Sequence, residues 1–331
     1  MTRIHHTLSF SLCPAIALLI VAGLPGSQRA QAQQPRRQSV VPAVRAHLLV
    51  STEWLMKYLK DPKVVVLHVA RDKASYDAGH IPGARFLPLG EILATRDGVP
   101  NELPPVDKLQ QVFSKLGVGD DSRVVLYGEQ SGLVAARAYF TLDYLGFGDQ
   151  AALLDGGLEK WKAEKREVST AAADVKAAKF TPRVNPKVLV VRDVMRDASW
   201  VASNVAAPNV ALIDARPAED YTGAKTGDGL PRSGHIPGAA NIYWMQELTS
   251  KENPTMLPAS ELRKMYEAAG ATAGKKVVTY CRTGMQASHA YFTAKYLGYD
   301  AAMYDGSFIE WSKTEGLPVA TGQGKEVKSK K

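Results

Sequence analysis

The chain has 331 residues, 45% hydrophobic and 22% charged, with a net charge of +8. That length exceeds one ordinary domain and suits two of roughly 150 residues, and the composition excludes a disordered or collagen-like polymer. Only Cys13 and Cys281 carry thiols, which excludes a disulfide-rich scaffold and any four-cysteine zinc site.

In chain order, residues 1–32 read as a signal peptide. Arg3 gives a basic start, Pro14–Leu24 is an apolar run, Pro25-Gly26-Ser27 breaks it, and Ala30-Gln31-Ala32 is a small-x-small cleavage pattern. A retained amphipathic anchor is the alternative. The run is shorter than the ~18 apolar residues of a membrane span, so no stable membrane insertion is expected and the location is periplasmic or secreted. Cys13 follows Leu12 and makes a poor lipoprotein cysteine, so cleavage after Ala32 leaves Cys281 alone. Lys325, Lys328, Lys330 and Lys331 crowd a basic tail over residues 321–331. With acids and bases mixed elsewhere, no nucleic-acid partner is expected.

The remainder repeats itself with a period of about 150 residues, which means paired domains rather than a solenoid. The first half, residues 44–168, has Val64–Leu67, Tyr76, Gly79-His80-Ile81-Pro82-Gly83-Ala84, Val124–Tyr127, Tyr144-Leu145-Gly146 and Asp155-Gly156-Gly157…Trp161. The second, residues 188–320, has Val210–Ile213, Tyr221, Gly234-His235-Ile236-Pro237-Gly238-Ala239, Val277–Tyr280, Tyr296-Leu297-Gly298 and Asp305-Gly306-Ser307…Trp311. Residues 169–187, with Pro182 and Pro186, form the linker. Short β-branched runs alternating with helical stretches predict an α/β fold, two parallel sheets each flanked by helices on both faces. Gly146 and Gly298 suit the left-handed position that ends a helix.

Comparing the halves separates fold from chemistry. His80 and His235 share one turn, which marks them as structural. Arg71 and Arg216 correspond, each five residues before the shared tyrosine. Asp214 then stands against Val69 and serves either to orient Arg216 or to cap local backbone groups. The sharpest difference follows the strand Val277–Tyr280: Cys281-Arg282-Thr283-Gly284 against Gly128-Glu129-Gln130-Ser131-Gly132, with Glu129 set against Cys281. A cysteine on a short loop between a parallel strand and a helix gains positive potential from backbone N–H groups, the helix N-terminus and Arg282, all favouring thiolate. A buried structural cysteine is the alternative. No second cysteine exists to resolve a disulfide. Ala287 stands where a Cys-x5-Arg phosphatase loop needs arginine, and His289 lies too far along to act as base. A thiolate that accepts sulfur from a small anion and passes it on remains.

These residues resemble the tandem-domain rhodaneses, the thiosulfate sulfurtransferases, from about Leu48 to Val319. The resemblance implies an inactive first domain and an active second one, with a persulfide on catalytic Cys281. It further implies sulfonate binding by Arg282 and Arg216, with Thr283 and Gly284 in the same loop and Trp244 as an apolar pocket wall. The implied partners are a small anionic sulfur donor and a thiol or cyanide acceptor, with no cofactor or metal. Thiosulfate-type members put Arg then Lys after the cysteine, and mercaptopyruvate-type members Gly then Ser or Ala. Arg282 fits the first group and Thr283 departs from it. Thiosulfate is favoured because arginine can hold a sulfonate in bidentate fashion. 3-Mercaptopyruvate as donor, and a non-catalytic persulfide carrier or sensor, are the alternatives.

Overall fold

The computed structural model describes residues 42–190 and 209–326, so the predicted leader at residues 1–32 lies outside the described residues. In the first half β1 (Leu49–Val50), β2 (Val64–Ala70), β3 (Arg85–Pro88), β6 (Arg123–Gly128) and β7 (Ala151–Leu154) build one parallel sheet in the order β1-β7-β6-β2-β3. Its interior strand β2 is buried from Val65 onward, as an apolar strand covered on both faces should be. Between β3 and β6, β4 (Ala94–Arg96) and β5 (Val99–Glu102) form a small antiparallel hairpin. It turns on Asp97 and Gly98, both at positive φ, the two-residue turn that matches strand twist.

The second half repeats the order with β8 (Leu189–Val190), β12 (Asp300–Tyr304), β11 (Lys276–Tyr280), β9 (Val210–Asp214) and β10 (Ala240–Asn241), and adds β13 (Lys325–Glu326) outside β10. The predicted basic tail therefore begins as an edge strand, because Lys325 and Glu326 pair with Ala240 and Asn241. Helices α1 (Thr52–Tyr58), α2 (Ala74–Asp77), α3 (Val106–Lys115), α4 (Leu133–Tyr144) and α5 (Gly157–Ala163) belong to the first half. The second half carries α6 (Ala218–Thr222), α7 (Ala259–Ala268), α8 (Met285–Tyr296) and α9 (Ser307–Lys313). Among the described residues no helix is long and apolar enough to cross a membrane.

The halves meet along α4 and α8. Both lack an amphipathic stripe and are buried over most of their length, as helices enclosed on all sides must be. Tyr139 packs edge-on to Phe292 and Phe140 edge-on to Tyr291, while Lys295 on α8 pairs with Asp143 on α4 at 2.9 Å. Each half also receives a strap that leads into the other. Arg183 and Asn185 of the linker donate their N–H groups to Leu145 O and Tyr144 O at the end of α4. Likewise Arg45, just before β1, donates to Tyr296 O at the end of α8. Gly146 and Gly298 take positive φ beneath these straps, and a Cβ on either would strike the carbonyl of Arg183 or Ala43.

The shared histidines are structural, as the duplication implied. His80 Nδ1 lies 2.8 Å from Tyr76 O with its ring stacked on Tyr76, and His235 repeats the arrangement with Tyr221.

Candidate active site

Four parallel strands of the second sheet end side by side, and open α/β sheets gather ligands at such carboxyl ends. Register pairs Asp214 of β9 with Tyr280 of β11, and Asn241 of β10 with Asp214. The chain leaves β9 as Asp214-Ala215-Arg216, β11 as Cys281 and β12 as Asp305-Gly306-Ser307. Ala215 donates its N–H to Tyr280 O, and Trp244, beyond β10, donates to Ala215 O.

Register also corrects two pairings read from the sequence. Val64 of β2 pairs with Arg123 of β6, and Val210 of β9 pairs with Lys276 of β11. Matching the halves along these strands sets His68, not Val69, opposite Asp214, and Gly128, not Glu129, opposite Cys281. The offset for Val69 fails because the chain between strand and shared tyrosine is one residue shorter in the second half, and that for Glu129 because the loop into α8 is one residue shorter than the loop into α4. Gly128 has no room for a side chain: a Cβ there would stand 2.2 Å from Val69 O and 2.7 Å from Val134 Cγ2.

Cys281 itself is 1% exposed, enclosed by the loop that follows it. Its N–H donates to Ser307 Oγ at 3.2 Å. The carbonyls of Cys281 and Arg282 accept the N–H groups of Phe308 and Ile309, satisfying two orphan donors of the first turn of α9. Gly284, at φ +85, then turns the chain into α8. Among the described residues the N–H groups of Arg282 through Ala287 find no acceptor. Unpaired donors at a helix N-terminus, several in buried residues, are costly unless an anion meets them.

Ser307 went unnoticed in the sequence. It is fully buried at φ +51, where its counterpart Gly157 has φ +55. A non-glycine residue is strained there. The hydroxyl accounts for it, since it takes the Cys281 N–H and donates to Tyr304 O. The signal was present in the Gly157/Ser307 difference between the halves.

Arg216 is 1% exposed. Asp214 serves both roles considered for it: Oδ1 accepts the Arg216 backbone N–H, and the carboxylate binds Nε and Nη2 of the guanidinium. Nη2 also donates to Gly234 O, whereas Nη1 has no partner among the described residues. Burial works against the charge on Arg216, but Asp214 outweighs it, helped by Tyr280 and Cys281, so the guanidinium is held above its ordinary value. The cation lies 4.3 Å from the Phe308 ring centroid. A permanently charged donor with one free N–H thus faces the neighbourhood of Cys281.

The other predicted residues are placed differently. Arg282 is exposed, its guanidinium 3.8 Å from Asp228. Asp228 lies on the stretch between Tyr221 and His235, which is ten residues longer than the first half's stretch from Tyr76 to His80. Thr283 Oγ1 accepts a hydrogen bond from Asn101 Nδ2 at 2.9 Å, so its hydroxyl is engaged by the first half. Gly284 is buried against Asp305. Trp244 is buried in the apolar cluster that also holds Cys281 and Met285, with its ring 5.3 Å from that of His289. His289 is committed elsewhere: its Nδ1 sits 2.6 Å from Glu247, a fully buried carboxylate that also accepts from Tyr266 and Thr293. Among the described residues no cluster of three or more His, Cys, Asp or Glu is placed to hold a metal.

The Rhodanese-like domain family matches this chain twice, over residues 51–164 and 197–314. The sulfur carrier protein TtuD of Thermus thermophilus is 36% identical over 287 residues, 83% of this chain and 97% of that protein. A thiosulfate sulfurtransferase of Corynebacterium glutamicum is 30% identical over 288 residues, 83% of this chain and 91% of that one. Among solved structures, an anaerobic ergothioneine biosynthesis enzyme from Chlorobium limicola superposes with a TM-score of 0.73 at 23% identity, covering 84% of this chain and 71% of that chain. At that identity the likeness speaks for the fold alone. Sequence, fold and site agree, and the chain belongs to the tandem-domain rhodanese family of sulfurtransferases.

Proposed function

We propose that the protein moves the outer sulfur of thiosulfate to a thiol or to cyanide through a persulfide on Cys281. The observation that carries this reading is Cys281 beneath a run of unpaired N–H groups, beside a buried arginine with a free Nη1. The Cys281 thiolate attacks the outer sulfur; the S–S bond of thiosulfate breaks and sulfite leaves with the bonding electron pair. The acceptor then attacks the terminal sulfur of the persulfide, and Cys281 departs as thiolate, ready for another cycle. Splitting one transfer into two displacements is covalent catalysis. The loop N–H groups and Arg216 Nη1 stabilise the negative charge of the donor and the persulfide. Arg282, on its exposed side chain, meets the donor's sulfonate at the mouth. Trp244 belongs to the apolar wall, and Thr283 and Gly284 shape the loop. The predicted leader adds export to a periplasmic or extracellular setting.

Steady-state kinetics tests the donor. Thiosulfate is expected to give ping-pong behaviour, with sulfite released before the acceptor binds, and a higher kcat/KM than 3-mercaptopyruvate. The opposite order of donors would shift the assignment to mercaptopyruvate. A second reading, persulfide delivery to a protein partner without rapid turnover, draws support from the 36% identity to a protein named a sulfur carrier. Under that reading Cys281 takes up sulfur from thiosulfate yet turns over slowly with small acceptors.

A further inference from the structure

The half without a cysteine reaches into the catalytic loop. Arg137, the fifth residue of α4, is fully buried and pairs with Asp305 at 2.6 Å. Asp305 lies on the loop after β12 in the other half, and its Oδ2 accepts the N–H of Leu103 from the first half at 3.0 Å. This pair sits directly against Gly284, where a Cβ would stand 3.0 Å from Asp305 Oδ1 and 3.2 Å from Arg137 Nη1. Arg137 also donates to the carbonyl of Asn101. Asn101, at φ +64, extends its amide to Thr283 Oγ1. Two consecutive residues of the Cys281 loop, Thr283 and Gly284, are thus gripped from the opposite half.

The duplication supplies the control. The aspartate equivalent to Asp305 is Asp155, and its Oδ1 accepts an N–H from across the interface, that of Met256, just as Asp305 accepts from Leu103. The arginine is where the symmetry breaks. The residue of α8 equivalent to Arg137 is His289, which pairs with Glu247 within its own half. Among the described residues, the loop that carries a cysteine receives a buried arginine from its partner domain and the equivalent loop does not. A buried ion pair contributes little to stability compared with a well-packed apolar substitute, so stability alone does not account for Arg137.

We propose that Arg137, acting through Asp305, and Asn101, acting through Thr283, are positioning residues that hold the Cys281 loop in its anion-binding form. The first half is then a working part of the active site. This inference rests on reading Cys281 as the reactive thiol, and it is tested without any sulfur donor. The pH profile of Cys281 alkylation by iodoacetamide is measured in the full chain for the wild type, Asp305→Asn, Arg137→Lys, Asn101→Ala and Asp155→Asn. Asp305→Asn keeps an acceptor for the Leu103 N–H but removes the charge. If the loop loses its form, alkylation of Cys281 at neutral pH is expected to slow about tenfold. Arg137→Lys, which keeps the charge, is expected to retain more of the wild-type rate than Asp305→Asn, and Asn101→Ala to slow alkylation less than Asp305→Asn. Asp155→Asn alters the equivalent interface contact and is expected to overlay the wild type, which separates loop positioning from general loosening of the domains. If Asp305→Asn or Arg137→Lys does not fold, Asn101→Ala at its half-buried position decides. Folded variants of Arg137, Asp305 and Asn101 that all overlay the wild type would overturn the proposal. Loss of sulfur uptake from thiosulfate with these alkylation shifts intact would instead count against the proposed donor.

Discussion

The loop after β6 and the loop after β11 leave equivalent strands and enter equivalent helices, yet only the second has a thiol at the strand end. In the first half Gly128 stands where Cys281 stands in the second, with Val69 O and Val134 filling the space of a side chain. The Glu129 N–H is turned toward Val69 O of the neighbouring strand and the Leu133 N–H toward Gln130 O, while among the described residues the N–H groups of Gln130, Ser131 and Gly132 have no acceptor. In the loop at Cys281 the carbonyls of Cys281 and Arg282 are taken by α9, and among the described residues the N–H groups of Arg282 through Ala287 are unpaired. One strand away, the first half has His68, buried with its Nδ1 unpartnered, where the second has the Asp214–Arg216 pair. The difference between the halves is therefore larger than one cysteine. It includes the carbonyls taken up by α9, a buried cation and a serine held in a glycine conformation.

Several substitutions break this comparison, the largest in effect at the nucleophile. Cys281→Ser is expected to lower sulfur transfer on the order of 10³-fold or more, measured as thiocyanate formation from thiosulfate and cyanide. Gly128→Cys in that background is expected to restore nothing, because its Cβ meets Val69 O; recovered activity would show that the loops are interchangeable. Next comes the buried pair. Asp214→Ala leaves the Arg216 charge unpaired and is expected to cost about 3–5 kcal/mol of stability by urea unfolding.

His68 gives a pH test in the other half. Burial pushes it down to about 4 from an ordinary 6.5. The folded state therefore holds His68 neutral where the unfolded chain takes up a proton. Its contribution is complete above pH 6.5 and is lost as pH falls toward 4. His68→Leu is expected to flatten stability against pH in that window by about 2 kcal/mol, and an unchanged slope would remove His68 as its source. The smallest effect belongs to Ser307→Gly, which copies Gly157. Relief of the left-handed strain offsets the lost hydrogen bond, so stability is expected to stay within about 1 kcal/mol. Transfer is expected to fall about tenfold as the Cys281 N–H loses its acceptor.

The duplication, the parallel strands, the glycine helix ends, the histidine turns and the place of Cys281 at a strand end were legible because each is local or repeated. The pairing of Glu129 with Cys281 went wrong because the loop from the strand to the helix is one residue longer in the first half, and only strand register fixes where the extra residue falls. Asn101, Leu103, Arg137 and Asp305 were not legible as site residues. Their meeting is set by how two domains pack, and nothing in the spacing between residues 101 and 305 encodes it. The edge strand β13 was read as part of a tail outside the domains for the same reason, since a short polar piece acquires structure only from the surface it meets. Ser307 was visible as a difference between the halves, but its meaning depended on a positive φ that sequence does not display.

The central claim is that Cys281 carries sulfur taken from a small anionic donor. Intact-mass measurement of the full chain after thiosulfate treatment, with the modified site located by peptide mapping and cyanide added afterwards, addresses it most directly. The expected result is a gain of one sulfur atom on Cys281, absent in Cys281→Ser and removed by cyanide with formation of thiocyanate. An unmodified Cys281 under conditions in which the thiol still reacts with iodoacetamide would contradict it.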